Sequence, residues 1–412
     1  MQLLDSTWTY KSPRFSAASL YIRTNESQIL MTRQNEIGFL GVTVNHLINK
    51  QTHLHNLVAE HPILRHEPVI GIQYLRGIAV LAVVLGHSAS FTSGGLHVAP
   101  LLGGRLEPGR LGVDLFFQIS GFIIAIVSLH GRDLAPAIGI GRFLQRRFIR
   151  IVPLMWIAVL CFATLQWLGH VRGEGWSYLR AMLLLPGNLA PTLLWTLRQE
   201  LIFYVIFALS FLRGGKWRVL PVLWFAAILL VPRGPQTWWS HDAPLALLLN
   251  LRNLGFAGGL LVALLWFRHT SQWRFRSPVE PLLVLGSGSA LVMFVAVPAL
   301  AIDAGVGLTL MLLPLVIFAA HVECPPGLAR RAGELFGNAS YSIYLFHYPA
   351  ISVLITLCRK TAPTSPPWLI ALLCLVTSTA AGVAAHFMVE RPLLTAIRRR
   401  VARGGTASAV AL

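Results

Sequence analysis

Residues Leu75 to Ser88 read LRGIAVLAVVLGHS, a run of apolar and small residues from Gly77 to Gly86 with an arginine at 76 and a histidine at 87. Extended outward to residues 72–91, the run reaches the ~20 residues that a helix needs to cross about 30 Å of hydrocarbon. A soluble domain holds one such helix at most. Here the pattern recurs along the whole chain, and the recurrence decides the fold.

Of the 412 residues, 55% are hydrophobic and 12% charged, with a mean hydropathy of +0.63. Soluble domains carry about 25% charge, so a soluble globular enzyme is excluded. The 35 Gly and 24 Pro follow no period, which removes collagen-like and low-complexity readings. Ten windows are long or apolar enough to be spans: 72–91, 111–130, 148–168, 193–212, 217–232, 245–267, 280–299, 303–321, 336–357 and 367–388. The fifth is short, and the seventh and eighth could merge. The reading is an all-α polytopic membrane bundle of about ten transmembrane helices.

The net charge of +18 brackets the apolar segments and does not form a nucleic-acid surface. Eighteen Lys and Arg fall in one set of alternate loops with the C-terminal stretch, against seven in the other set. Short cytoplasmic loops retain basic residues, so both termini are expected in the cytoplasm. The expected division is a polar, disordered cytoplasmic tail over 1–69, a transmembrane domain over 70–394 and a basic tail over 395–412. The first of these lacks the charged start, apolar core and cleavage site of a signal peptide; a start codon chosen too far upstream would also account for it. Cys161, Cys324, Cys358 and Cys374 form no CxxC pair, so neither a disulfide nor a metal site is expected.

Ionisable side chains at membrane depth cost roughly 2.5–3.5 kcal/mol each on insertion scales and call for a partner or a task. The first span carries Arg76 and His87 eleven residues apart, about 16 Å along a helix and nearly three full turns, so both project from similar faces. Asp114, in GVDLFFQISGF, is expected near the outer surface at the depth of His87, and Glu200, in LWTLRQELIFY, about two turns from the outer end of its span. Tyr344 and His347, in YSIYLFHYP, fall in the middle to outer half of the ninth span. Each has a structural alternative: helix-packing hydrogen bonds for the histidines, a helix cap for Asp114, an ion pair with Arg198 or Arg252 for Glu200. In GRFLQRRFIRIVP, a helix would put Arg142, Arg146 and Arg150 on one face, and guanidinium groups including that of Arg147 suit a polyphosphate, or anionic lipid.

These segments resemble the membrane-bound acyltransferase 3 family, which includes bacterial O-acetyltransferases of surface and exported carbohydrates. Arg76 and His87 match its R-x10-H motif; GVDLFFQISGF (112–122), RRFIRIVP (146–153), LWTLRQELIFY (194–204), GNASYSIYLFHYP (337–349) and VERPL (389–393) resemble its further signatures, in order, over residues 70–394. Gln118 stands where an apolar residue is usual, and Arg198 adds a charge beside Glu200. The resemblance implies acyl-CoA, most simply acetyl-CoA, as donor substrate with no permanently bound cofactor. It also implies a carbohydrate or glycolipid acceptor and a place in the bacterial cytoplasmic membrane. Arg76, Arg146, Arg147 and Arg150 would hold the donor. His87 would act as general base or as nucleophile, oriented by Asp114 or Glu200, with Ser120, Tyr344, His347 or a backbone N–H meeting substrate or the oxyanion. No further domain is expected after the tenth span, so transfer would be completed in the membrane domain or passed to another protein. A transporter or flippase also fits ten helices with buried charge, but no repeat of broken helices relates the two halves.

Overall fold

A computed structural model of the chain describes residues 69–101, 108–130, 133–170, 173–231, 243–269, 304–322, 326–361 and 364–409. All of them belong to one unit, His66–Leu412. The elements are helices α1 (Ile70–Leu96), α2 (Pro108–Ser128), α3 (Ile140–Leu168), α4 (Gly175–Leu183), α5 (Trp195–Leu209), α6 (Leu212–Gly215), α7 (Val219–Leu230), α8 (Pro244–Leu248), α9 (Leu254–His269), α10 (Ala304–His321), α11 (Leu328–Thr361), α12 (Pro367–Ala385) and α13 (Arg391–Ala409). One two-residue antiparallel ladder, Leu129–His130 with Ala135–Pro136, closes the α2–α3 connection.

Among the described residues seven helices are long and apolar enough to cross a membrane, and two shorter apolar helices, Val219–Leu230 and Val306–His321, accompany them. Nine of the ten expected segments thus fall on helices. The seventh window, 280–299, and the expected tail up to residue 68 lie outside the described residues. The 12 residues of α7 rise only about 18 Å, too little for a perpendicular crossing. The chain is an all-helical, multi-pass membrane protein.

Two helices run longer than expected. The basic segment before Pro153 is continuous with the third span in α3, because proline breaks a helix less readily where neighbouring helices re-satisfy the freed backbone groups. At the C-terminal end α12 passes through a single π turn, His386–Glu390, into α13, so residues 395–409 are helical. Apolar side chains cover most of the outward surface, including Leu160, Trp167, Leu230 and Trp368, as lipid contact requires.

Small residues set the helix register. Gly112 of α2 approaches α1 so closely that a Cβ would stand 2.4 Å from the Ala79 carbonyl oxygen, and a Cβ on Gly109 would face Gly86. The two helices are therefore antiparallel. Gly337 of α11 likewise meets the Gln73 carbonyl, while Gly95 at the far end of α1 faces Ile355, so α1 and α11 run parallel. Gly255 and Gly259 bring α9 against Phe117 and Gln118 in a second parallel pairing, with α2. These close approaches lock α1 against α2 and α11, and α2 against α9, around the site.

Candidate active site

A cavity of about 90 Å³ lies between α1, α2, α3, α5 and α11. Three arginines, Arg76, Arg147 and Arg150, and one carboxylate, Glu200, line it together with Ser120 and Tyr344. The volume is well below the ~300–1,000 Å³ of sites that enclose a whole drug-sized ligand, so this space takes only part of such a molecule.

Arg76 is 8% exposed and is held from two directions: Nη1 donates to Gln73 Oε1 at 3.2 Å and Nη2 to Ser340 Oγ at 2.8 Å. Arg147 lies over the rings of Phe143 and Tyr204, and its buried Nε has no hydrogen-bond partner among the described residues. Three guanidinium groups against one carboxylate leave a cationic cavity, which favours an anionic occupant at this depth. Spacing by four had placed Arg142, Arg146 and Arg150 on one working face. In the structure the cavity face is Arg147 and Arg150, three apart, while Arg142 and Arg146 are exposed outside it.

Glu200 Oε1 accepts from Ser120 Oγ at 2.9 Å and from the Tyr204 hydroxyl, four residues on. Its expected partners are engaged elsewhere: Arg198 donates to the carbonyls of Leu185 and Gly187, and Arg252 pairs with Asp114 at 3.2 Å. Arg198 thus fixes the connection before α5. Gln118 is accounted for as well, since its amide Nε2 donates to the Thr309 carbonyl at 2.8 Å and ties α2 to α10.

His87 is half-buried, and its Nδ1 lies 2.9 Å from Nε2 of His347, the rings edge to edge and nearly coplanar with centroids 5.1 Å apart. Phe91 and Tyr348 set their edges against the same imidazole at 6.3 and 5.6 Å. His347 is fully buried and its Nδ1 is 3.2 Å from the Ile343 carbonyl. The His87 partner in the structure is therefore His347, where the sequence had suggested Asp114 or Glu200. Register explains the difference. With Gly112 against Ala79, Asp114 stands near the level of Ala79, eight residues or about 12 Å inward of His87. Glu200 joins Arg76 at the cavity instead of the histidines.

His87 does not line the cavity; Tyr344 does, and its ring lies 5.8 Å from that of His347. The Tyr344 hydroxyl donates to Leu193 O at 2.8 Å and lies 2.6 Å from Thr196 Oγ1, and the Ser120 hydroxyl donates to Glu200. Both hydroxyl protons suggested for an oxyanion are therefore already committed. Sequence reasoning passed over Tyr204, Thr196 and Tyr341, although each lies inside a quoted motif and Tyr204 falls at the i+4 position from Glu200. It also passed over the buried Glu390 carboxylate, which takes Ser342 Oγ at 2.6 Å and His386 Nδ1 at 2.7 Å. Among the described residues no group of three His, Cys, Asp or Glu is placed to hold a metal ion.

The acyltransferase 3 family, described as an acyltransferase domain, matches residues 69–387. Exopolysaccharide production protein ExoZ of Rhizobium meliloti (strain 1021) is 31% identical over 335 residues, 76% of this chain and 99% of that protein. A putative peptidoglycan O-acetyltransferase, YrhL of Bacillus subtilis (strain 168), is 24% identical over 81% of this chain and 56% of its own length. The peptidoglycan O-acetyltransferase OatA of Listeria monocytogenes serovar 1/2a (strain ATCC BAA-679 / EGD-e) is 24% identical over 72% of this chain and 51% of its own. The chain thus spans about half the length of the latter two. No solved structure gives a significant match.

Proposed function

This chain belongs to the acyltransferase 3 family, and we propose that it moves an acetyl group from cytoplasmic acetyl-CoA to a hydroxyl of a surface or exported polysaccharide at the bacterial inner membrane. The observation that carries the reading is the polar column that starts at the cationic cavity and follows α11 through Ser340, Tyr344 and His347 to His87.

The arginines meet the donor. Arg147, Arg150 and Arg76 supply charge-assisted donors for phosphate oxygens or the polar carrier arm, and Arg146 extends the basic surface on the exposed side of α3. The excess of basic loop residues on the Arg76 side supports a cytoplasmic position for that end. A cavity of about 90 Å³ takes a stretch of the carrier arm beside the arginines while the nucleotide stays outside and the thioester end continues along the polar column to His87. Carbohydrate chemistry in the named relatives, exopolysaccharide in one and peptidoglycan in two, supports a glycan hydroxyl as acceptor.

In the transfer step the acceptor oxygen attacks the thioester carbonyl carbon while His87 Nε2 takes the hydroxyl proton. The tetrahedral intermediate collapses, the C–S bond breaks, and the imidazolium returns the proton to the departing thiolate. The products are an O-acetyl ester and free CoA. Glu200 accepts from Ser120 and Tyr204 and keeps one negative charge among the three guanidinium groups. Asp114, paired with Arg252, holds α2 to the turn that precedes α9.

The experiment supplies radiolabelled acetyl-CoA to inverted membrane vesicles that contain the full chain and extracted cell-surface polysaccharide. Label on the polysaccharide that disappears in His87→Ala, with the variant inserted at normal level, is the expected result. Normal labelling by His87→Ala refutes the base assignment. Movement of unmodified polysaccharide without any CoA thioester would point to transport.

A further inference from the structure

We propose that His347 is a positioning residue that fixes the tautomer of His87, so that the lone pair sits on Nε2, the nitrogen that acts on substrate. The inference rests on His87 as the acting group and applies equally whether Nε2 takes a proton or attacks the thioester.

The argument starts at a backbone carbonyl. The Ile343 oxygen lies 3.2 Å from His347 Nδ1 and can only accept, so Nδ1 carries a hydrogen. A neutral His347 then presents a bare Nε2. That atom lies 2.9 Å from His87 Nδ1, so the hydrogen of this second bond belongs to His87, whose own Nδ1 is the donor. The remaining lone pair of His87 is on Nε2. One carbonyl on α11 thereby sets the protonation pattern of a ring on α1, through two hydrogen bonds of defined direction.

Burial makes the arrangement one-sided. His347 has no exposed surface, whereas His87 is half-exposed, so the inner ring serves as support and the outer ring meets substrate. The two imidazoles meet edge to edge across the hydrogen bond, their planes 16° apart, and the rings of Phe91 and Tyr348 stand nearly perpendicular to that of His87. Ring rotation by 180° would turn the Cδ2–H edge toward His347 and lose the Nδ1 donor. The parallel register of α1 and α11, set at Gly77, Gly337 and Gly95, brings residues 87 and 347 opposite one another. In the opposite tautomer His87 would present an N–H where the acceptor hydroxyl needs a lone pair.

Three variants of the full chain separate this role from packing. His347→Phe keeps an aromatic ring to fill the buried site and removes the acceptor; His347→Gln keeps an amide oxygen that accepts from His87 Nδ1; His87→Ala removes the acting ring. Each is assayed in vesicles by free-thiol release from acetyl-CoA with extracted polysaccharide, after size-exclusion chromatography has shown it folded. The expected result is a fall in kcat of about 10- to 100-fold for His347→Phe, the usual cost of losing the partner that orients a functional histidine, with KM for acetyl-CoA unchanged. His347→Gln recovers most of that loss. Nitrogen-15 spectra of ring-labelled protein should also show the His87 unprotonated nitrogen as Nε2 in the native chain and a mixture of tautomers in His347→Phe. Full activity in His347→Phe overturns the proposal, as does loss in both position-347 variants, because an acceptor there would then not suffice. Activity in His87→Ala removes the base assignment itself, a separate failure read from a separate variant.

Discussion

The Asp114–Arg252 pair offers a direct measure of how the bundle is held. At 3.2 Å and an effective dielectric constant of about 20, the Coulomb attraction is about 5 kcal/mol before desolvation is charged against it. The Asp114 side chain is 6% exposed and that of Arg252 23%, with the guanidinium also 5.3 Å from the Trp195 ring centroid. Loss of each partner therefore has unequal consequences. Arg252→Met strands a carboxylate with almost no access to water and should cost about 3–5 kcal/mol. Asp114→Asn leaves a guanidinium that still meets Trp195, some solvent and a neutral amide, and should cost only about 1–2 kcal/mol. Asp114→Asn combined with Arg252→Met should be less destabilised than Arg252→Met alone, a non-additivity that reports the pairing. Equilibrium unfolding of purified protein in mixed SDS and dodecylmaltoside micelles measures all three. Transfer per folded molecule should stay within about tenfold of wild type in Asp114→Asn. An Arg252→Met variant as stable as wild type, or an Asp114→Asn variant with native stability and a more than hundredfold loss of kcat, would refute this reasoning and return Asp114 to the chemistry.

Two further outcomes follow from the same geometry. Arg147→Met should raise KM for acetyl-CoA by roughly 10- to 150-fold, the equivalent of one charge-assisted hydrogen bond of about 1.5–3 kcal/mol, with kcat little changed. Arg146→Met, on the exposed side of α3, should change KM less than threefold; vesicle kinetics with varied acetyl-CoA check the pair. A Cβ on Gly259 would lie 1.9 Å from the Gln118 carbonyl oxygen and 2.7 Å from Phe122 N, whereas one on Gly175 meets nothing within 4 Å. Gly259→Ala should therefore lose most of the monodisperse protein recovered in detergent and Gly175→Ala almost none.

Segment positions were legible because membrane insertion imposes a length and polarity rule on every crossing. The window at 72–91 falls inside α1, that at 111–130 overruns α2 by two residues, and the short fifth window is a short helix. Helix ends were less legible. Between Arg142 and Pro153 the sequence leaves open whether the basic segment before the span is helical; one helix runs through both, with apolar members such as Phe143 buried against Phe207 and Phe211 of the bundle. That packing is a tertiary fact with no local trace. The π turn at His386–Glu390 is similar, since it depends on a carboxylate meeting Ser342 on another helix.

The site residues were legible as types and the partnerships were not, because depth in the membrane had to be reckoned from segment ends. Counting from loops put Asp114 beside His87; α1 in fact continues to Leu96, and the Gly112–Ala79 contact slides α2 inward by about 12 Å relative to that estimate. The same slide carries Ser120, six residues after Asp114, down to the cavity that Arg76 lines, where it meets Glu200. Replacing Gly112 by alanine would force those helices apart at that contact, so it should disturb the Ser120–Glu200 hydrogen bond as well as stability, although it lies eight residues from Ser120. The small residues at helix crossings thus fix which polar groups can share chemistry, and a catalytic assignment in a bundle of this kind has to be reasoned from glycine contacts before charge.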